Sequence, residues 1–106
     1  MSFNATLKHT DNTAEITLSG ELDAAGAPLF KQKIEEAAHH SLKRLVLIMR
    51  DLEYMASAGL RVLIFAKQKM GSQVELTIVD APEMVIYTIK QTGFHHSIVL
   101  KNEAVL

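Results

Sequence analysis

The sequence has no cysteine, no run of basic residues and no long apolar segment. Without cysteine it has no disulfide framework, thiol nucleophile or thiolate metal ligand. A formal net charge of -1 without a basic run argues against nucleic acid as a direct partner. The longest apolar runs, Leu45–Met49 and Val62–Ala66, are too short to cross a bilayer, and the N-terminus lacks a signal-peptide pattern. We therefore expect a cytoplasmic protein without membrane insertion.

The composition is that of an ordinary globular protein, with 48% hydrophobic and 22% charged residues. Its 106 residues fit one domain, 1–106, which is long enough to bury a core without disulfides. We expect this domain to be a monomer when alone.

Alternating apolar residues predict an opening β-hairpin, with strands over residues 3–7 and 14–18 and a tight turn at Asp11-Asn12. Gly20 is expected to end the second strand.

An amphipathic helix is predicted next, with Asp23 as a candidate cap and Pro28 in the first turn. Its buried stripe is expected at Phe30, Ile34 and Ala38, spaced by four residues.

Leu45–Met49 shows no alternation, which is typical of a central strand covered on both faces. Residues 50–53 are interpreted as a polar turn leading to a second helix over residues 58–70, which Gly71 ends. Residues 74–79 are predicted to form the following strand.

The sequence at 80–83 resembles a capping box with proline in the first turn of a third helix. Gly93 is a suitable left-handed residue at the end of that helix, and 97–100 is predicted as a short edge strand before fraying at 101–106. The order β-β-α-β-α-β-α-(β) predicts an α/β fold with a mixed sheet.

Ser57 stands where the second helix is expected to begin, and it admits two interpretations. Serine is a favoured N-cap, because its oxygen accepts a hydrogen bond from a backbone N–H of the first turn. A helix N-terminus also favours a phosphate, so Ser57 is also a candidate phosphorylation site.

Two histidine pairs, His39-His40 and His95-His96, raise the possibility of a metal site or a small enzyme. Adjacent residues point in different directions, and no acidic cluster completes a ligand set. No nucleophile and base are evident either. We therefore expect surface histidines, no metal or other cofactor, and no enzymatic activity.

Three motifs, in this order, resemble those of the STAS domain family of bacterial anti-sigma factor antagonists. They are Gly20-Glu21-Leu22-Asp23, then Met55-Ala56-Ser57-Ala58-Gly59-Leu60, and last Val79-Asp80-Ala81-Pro82-Glu83 with Thr92-Gly93-Phe94. The resemblance implies a mixed β-sheet of four to five strands with helices packed mainly on one side.

The resemblance also implies a phosphorylation-controlled adaptor for partner switching. The residue matching the family's phosphoserine is Ser57. The implied partners are a serine protein kinase that is also an anti-sigma factor, and a PP2C-type phosphatase. The candidate partner-binding residues come from these motifs, as the resemblance implies, and from the outward strip of the second helix. They are Asp23, Ala56, Ala58, Gly59, Leu60, Arg61 and Phe65. The alternative is a STAS subunit that is never phosphorylated and stays bound in a transport or signalling complex.

The motif around Ser57 departs from the family pattern in its charges. Ala56 stands where the family has an acid, and Arg61 stands where a small residue often follows. Ile48 replaces an acid often found on the central strand. Helical spacing places four residues along one strip, Ser57, Arg61, Phe65 and Gln68. On this strip Phe65 is either an exposed anchor for a partner or rotated into the core.

Overall fold

The structure is a computed structural model that describes residues 2–103. Three α-helices and five strands alternate after an opening hairpin. The elements are β1 Asn4–Thr10, β2 Thr13–Leu22, α1 Ala27–Ala37, β3 Arg44–Met55, α2 Ser57–Met70, β4 Glu75–Val79, α3 Glu83–Gln91, a 3-10 turn Phe94–Ser97 and β5 Val99–Lys101. No helix in this part of the chain is long and apolar enough to span a bilayer.

The five strands form one mixed sheet in the order β1-β2-β3-β4-β5. β1 and β2 are antiparallel and meet at a turn in which Thr10 pairs with Thr13 and Asp11 has a φ of 53°. The remaining neighbours are parallel, so a helical connection is needed between each pair. The predicted mixed sheet and hairpin are confirmed.

Most of the core lies on one face of the sheet, under the three helices. On β3, Leu45, Leu47 and Met49 are fully buried, whereas Val46 and Ile48 on the opposite face are half-buried. The expectation that this strand is covered on both faces is therefore wrong. Apolar residues occupy both faces of β3, which hides the alternation of burial in the sequence.

β2 and β3 are both longer than the sequence predicts. The predicted polar turn at 50–53 is instead strand, because β3 stays paired with β2 as far as the match of Leu22 with Met55. Gly20 lies inside β2 with a φ of 84°, next to a shift in register. A side chain there would collide with the backbone carbonyl of Ser2, so glycine bends this strand rather than ending it.

The predicted acidic caps do not cap their helices. The N-cap residues are Gly26 for α1 and Pro82 for α3, and neither helix has a side-chain cap hydrogen bond. Asp23 instead accepts a hydrogen bond from the Gly26 N–H at 2.9 Å, within the loop before α1. Asp80 pairs with Arg50 at 3.0 Å, so its carboxylate is used between strands.

The element ends differ from the prediction by a few residues. α1 ends at Ala37, which is buried, and the predicted Ala38 is half-buried as the residue after the helix. Gly93 has the expected left-handed backbone after α3, with a φ of 77°. Lys101 belongs to β5 rather than to a frayed end, and residues 104–106 of that stretch lie outside the described residues.

Candidate functional site

The candidate site lies where β2 and β3 end side by side. These strands are parallel, and their last paired residues are Leu22 and Met55. The Ala56 N–H donates to the Leu22 carbonyl at 2.8 Å, which ties the start of α2 to the end of β2. The Asp23 loop and the first turn of α2 therefore emerge at the same edge of the sheet.

Ser57 is the first residue of α2, and Ala56 is its N-cap. Ala56 is extended, with φ −81° and ψ 172°, and its carbonyl accepts from the N–H groups of Gly59 and Leu60 at 3.0 and 3.2 Å. The interpretation of Ser57 as the cap is therefore wrong by one residue. The chain turns into the helix through backbone hydrogen bonds, which leaves the Ser57 side chain exposed and free of capping.

Gly59 lets α2 approach the sheet closely. A Cβ atom on Gly59 would lie 2.6 Å from Cγ of Leu22 and 2.9 Å from Cγ of Met55. Such distances are far shorter than van der Waals contact, so only glycine fits without movement. Leu60 is also buried, with 8% of its surface exposed. Gly59 and Leu60 therefore hold the first turn of α2, and with it Ser57, against the sheet.

The outward side of the first two turns carries Ser57, Ala58 and Arg61. Ala58 is half-buried, and the other two are exposed. Residues four apart on a helix are neighbours, so Arg61 lies one turn beyond Ser57 on the same side. Arg61 forms no ion pair with any residue between 2 and 103.

A shallow groove of about 500 Å³ runs between α1 and α2, beside this outward surface. We call it the α1–α2 groove. Its lining residues are Ala24, Ala27, Pro28, Lys31, Ala58, Arg61, Val62 and Phe65.

Phe65 lies between the two positions that the sequence allows. Its ring is half-buried and packs against the core, while its other side borders the groove. The Lys31 amine lies 4.9 Å from the ring centroid, within the range of a cation–π contact. Lys31 is itself an exposed residue of α1. No local pattern shows this contact, because it depends on how α1 and α2 pack.

A second depression of about 590 Å³ lies at the opposite end of the sheet's carboxyl edge, around Arg50 and Asp80. Here Arg50 pairs with Asp80 at 3.0 Å, and the Asp80 carboxylate also accepts from the Glu103 N–H at 2.8 Å. These contacts satisfy the charges within the chain and join β3, β4 and the residues after β5. We assign this cluster a structural role.

The histidines do not form a site. Groups of three or more potential metal ligands are absent from the described chain, 2–103. His9 stacks on His40 with ring centroids 3.7 Å apart, and His95 lies 4.0 Å from His96. Desolvation, followed by the nearby charges of His96 and Lys90, lowers the pKa of His95 below its ordinary value.

The fold and this surface define a small α/β domain with an exposed serine at a helix start. A family model described as STAS domain matches residues 4–104, and the chain belongs to this family.

Named relatives of the chain are anti-sigma factor antagonists. The anti-sigma-B factor antagonist of Bacillus subtilis (strain 168) is 30% identical over 97 residues, covering 88% of this chain and 85% of that protein. An anti-sigma factor antagonist from Mycobacterium paratuberculosis has a crystal structure with a TM-score of 0.85 and 25% identity, covering 94% of this chain and 86% of that one.

A protein whose structure was solved in a phosphorylated form has the same fold. The Bacillus cell fate determinant SpoIIAA in its phosphorylated form has a TM-score of 0.74 and 17% identity, covering 95% of this chain and 94% of that one. At this identity the likeness concerns the fold alone.

Proposed function

We propose that this chain is a cytoplasmic anti-sigma factor antagonist, a single-domain adaptor whose partner binding is switched by phosphorylation of Ser57. The observation that carries the proposal is the position of Ser57, exposed as the first residue of α2 in a protein of this family. The proposed partner is a serine protein kinase that also acts as an anti-sigma factor and brings its own nucleotide. A PP2C-type phosphatase resets the switch.

The start of α2 is suited to hold a phosphate on Ser57. The first N–H groups of an α-helix have no acceptor within the helix, and the helix dipole is positive at this end. Phosphorylation adds roughly −1.5 to −2 charges near neutral pH. Gly59 and Leu60 keep this turn packed on the sheet, so the added charge changes the surface without displacing the fold.

The partner surface comprises the outward turns of α2 and the neighbouring α1–α2 groove. Phe65 supplies an aromatic contact, a residue type enriched among binding hot spots. Asp23 lies on the adjacent loop, where its carboxylate accepts the Gly26 N–H and orders the entry to α1. A partner that covers this surface would contact Ser57 directly, so a phosphate there would add desolvation cost and repulsion.

The experiment is phosphorylation of the purified protein by extract of its own source cells with ATP. Intact-mass and fragment mass spectrometry would locate the phosphate. The wild type should gain one phosphate, Ser57→Ala none, and Ser72→Ala one. Ser72 is the matched control, because it is an exposed serine just beyond the other end of α2.

The competing function is a STAS subunit that is constitutively bound and never phosphorylated. Absence of phosphate on Ser57, with the protein recovered in one stable complex regardless of ATP, would establish that function and refute the switch. Phosphate on another residue in the active system would also refute it.

A further inference from the structure

The α1–α2 groove combines an apolar floor with two positive side chains. Its floor is formed by aliphatic residues and the ring of Phe65, and its charged members are Lys31 and Arg61. Within the described residues no carboxylate lines it. The groove is therefore positive and apolar, although the whole chain has a net charge of -1.

The two cations lie at different points along the groove. Arg61 precedes Phe65 by one helical turn, so the two side chains are neighbours on α2. Lys31 reaches across from α1 and places its amine 4.9 Å from the Phe65 ring centroid. Lys31 and Arg61 are both exposed residues, and neither has an ion-pair partner within residues 2–103.

We propose that this groove receives a segment of the partner protein in which an apolar side chain is flanked by aspartate or glutamate. The apolar side chain packs on the floor beside Phe65, and the carboxylates pair with Lys31 and Arg61. The inference rests on the proposed function only in assigning the groove to the partner surface. The occupant's chemistry follows from charge complementarity, since like charges across an interface disfavour a basic segment.

Nucleic acid fits this groove poorly. Proteins gain affinity for nucleic acid by neutralising many phosphates with cationic side chains. The groove offers only two such side chains, over an apolar floor. A second copy of the chain is a better alternative occupant of the groove. Its α3 exposes the apolar side chains of Met84 and Tyr87 next to the carboxylate of Glu83. The test must therefore separate a partner segment from self-association.

The test uses a random-peptide display library selected against the immobilised full-length protein. The reference for selection is the Lys31→Glu/Arg61→Glu variant, which keeps the apolar floor and reverses both charges. Sequences with an apolar residue flanked by Asp or Glu should be enriched on the wild type and depleted on the variant. Chemical-shift changes in ¹⁵N-labelled protein should then place a selected peptide at Ala58, Arg61 and Phe65.

The affinity of the selected peptide should depend on charge in a graded way. Each single reversal, Lys31→Glu or Arg61→Glu, should weaken binding about fivefold, because it removes one exposed ion pair and adds repulsion. Lys69→Glu is the control, since this exposed lysine is near the end of α2 and outside the groove lining. Raising the ionic strength should weaken wild-type binding by screening.

Several outcomes would overturn the inference. Enrichment of neutral or basic sequences, or no enrichment over the double variant, would show that charge does not select the occupant. Shifts confined to another surface would remove the groove. Self-association in sedimentation that Arg61→Glu abolishes would identify a second copy as the occupant. Phosphorylation at Ser57 without acidic selection would refute this inference alone, and acidic selection without phosphorylation would refute the switch alone.

Discussion

Replacing Gly59 with alanine tests the packing that holds the serine in place. The new methyl group would lie 2.6 Å from Cγ of Leu22, 2.8 Å from its Cδ2 and 2.9 Å from Cγ of Met55. Leu22 is fully buried and Met55 nearly so, so neither side chain has space into which to move. The substitution must therefore shift α2 away from the sheet or force both side chains out of their rotamers.

The magnitude combines two opposing effects. Overpacking of a core costs about 1–3 kcal/mol, whereas replacing glycine by alanine inside a helix gains about 0.5–1 kcal/mol. The gain is smaller here, because Gly59 lies in the first turn of α2. We expect a net loss of about 1–2 kcal/mol in the free energy of unfolding, which lowers Tm by about 4–16 °C for a domain of this size.

Urea denaturation and calorimetry of four proteins provide the assay: wild type, Gly59→Ala, Leu22→Ala and the double variant. Leu22→Ala alone should cost about 2–5 kcal/mol, as for other buried leucines. It also removes Cγ and Cδ2 of Leu22, the two atoms nearest to the new methyl group, and leaves only the contact with Met55. The double variant should therefore lose at least about 1 kcal/mol less than the sum of the single losses. Additive losses, or a Gly59→Ala protein as stable as wild type, would refute the close approach of helix and strand.

Three further predictions concern the proposed switch. Ser57→Asp should weaken binding of the kinase that phosphorylates Ser57, whereas Ser57→Ala should bind as wild type does, which calorimetric titration would show; equal binding by both variants would contradict the mechanism. Phe65→Ala should cost about 2 kcal/mol or more in partner binding and about 1–2 kcal/mol in the free energy of unfolding, because its ring is half-buried; unchanged affinity would remove Phe65 from the interface. In phosphorylated protein, ³¹P NMR should show a lower second phosphate pKa with Arg61 than with Arg61→Ala, because guanidinium stabilises the dianion; equal values would show that they do not interact.

The element order was predictable because most helices and strands carry either a periodic pattern or a short continuous apolar run. Alternation marks the hairpin, and the four-residue spacing of Phe30 and Ile34 marks α1. The cover of β3 was not predictable in the same way. Val46 and Ile48 are apolar residues on the less covered face, and the sequence does not distinguish them from core residues.

The site was only partly predictable. The motif located Ser57, but whether Ser57 or Ala56 caps α2 depends on how β3 ends. That end is set by pairing of Met55 with Leu22 and by the Ala56 hydrogen bond to the Leu22 carbonyl. The contact between Lys31 and Phe65 depends on the packing of two helices that are distant in sequence. Contacts of this kind carry no local signal.

The two charge departures of the motif have one physical consequence in the proposed switch. With Ala56 in place of an acid and Arg61 one turn beyond Ser57, the unphosphorylated helix start presents only positive potential from these positions. That potential attracts a carboxylate on the partner. A phosphate on Ser57 competes for the same arginine from within the chain, and tethered groups compete at effective concentrations of about millimolar. Phosphorylation would therefore release an acidic partner in two ways: the phosphate occupies Arg61, and its negative charge repels the partner. In the unphosphorylated protein, Arg61→Gln should accordingly weaken binding to the partner. It should also reduce the factor by which phosphorylation of Ser57 lowers the affinity for that partner. An unchanged ratio would show that repulsion at Ser57 acts alone.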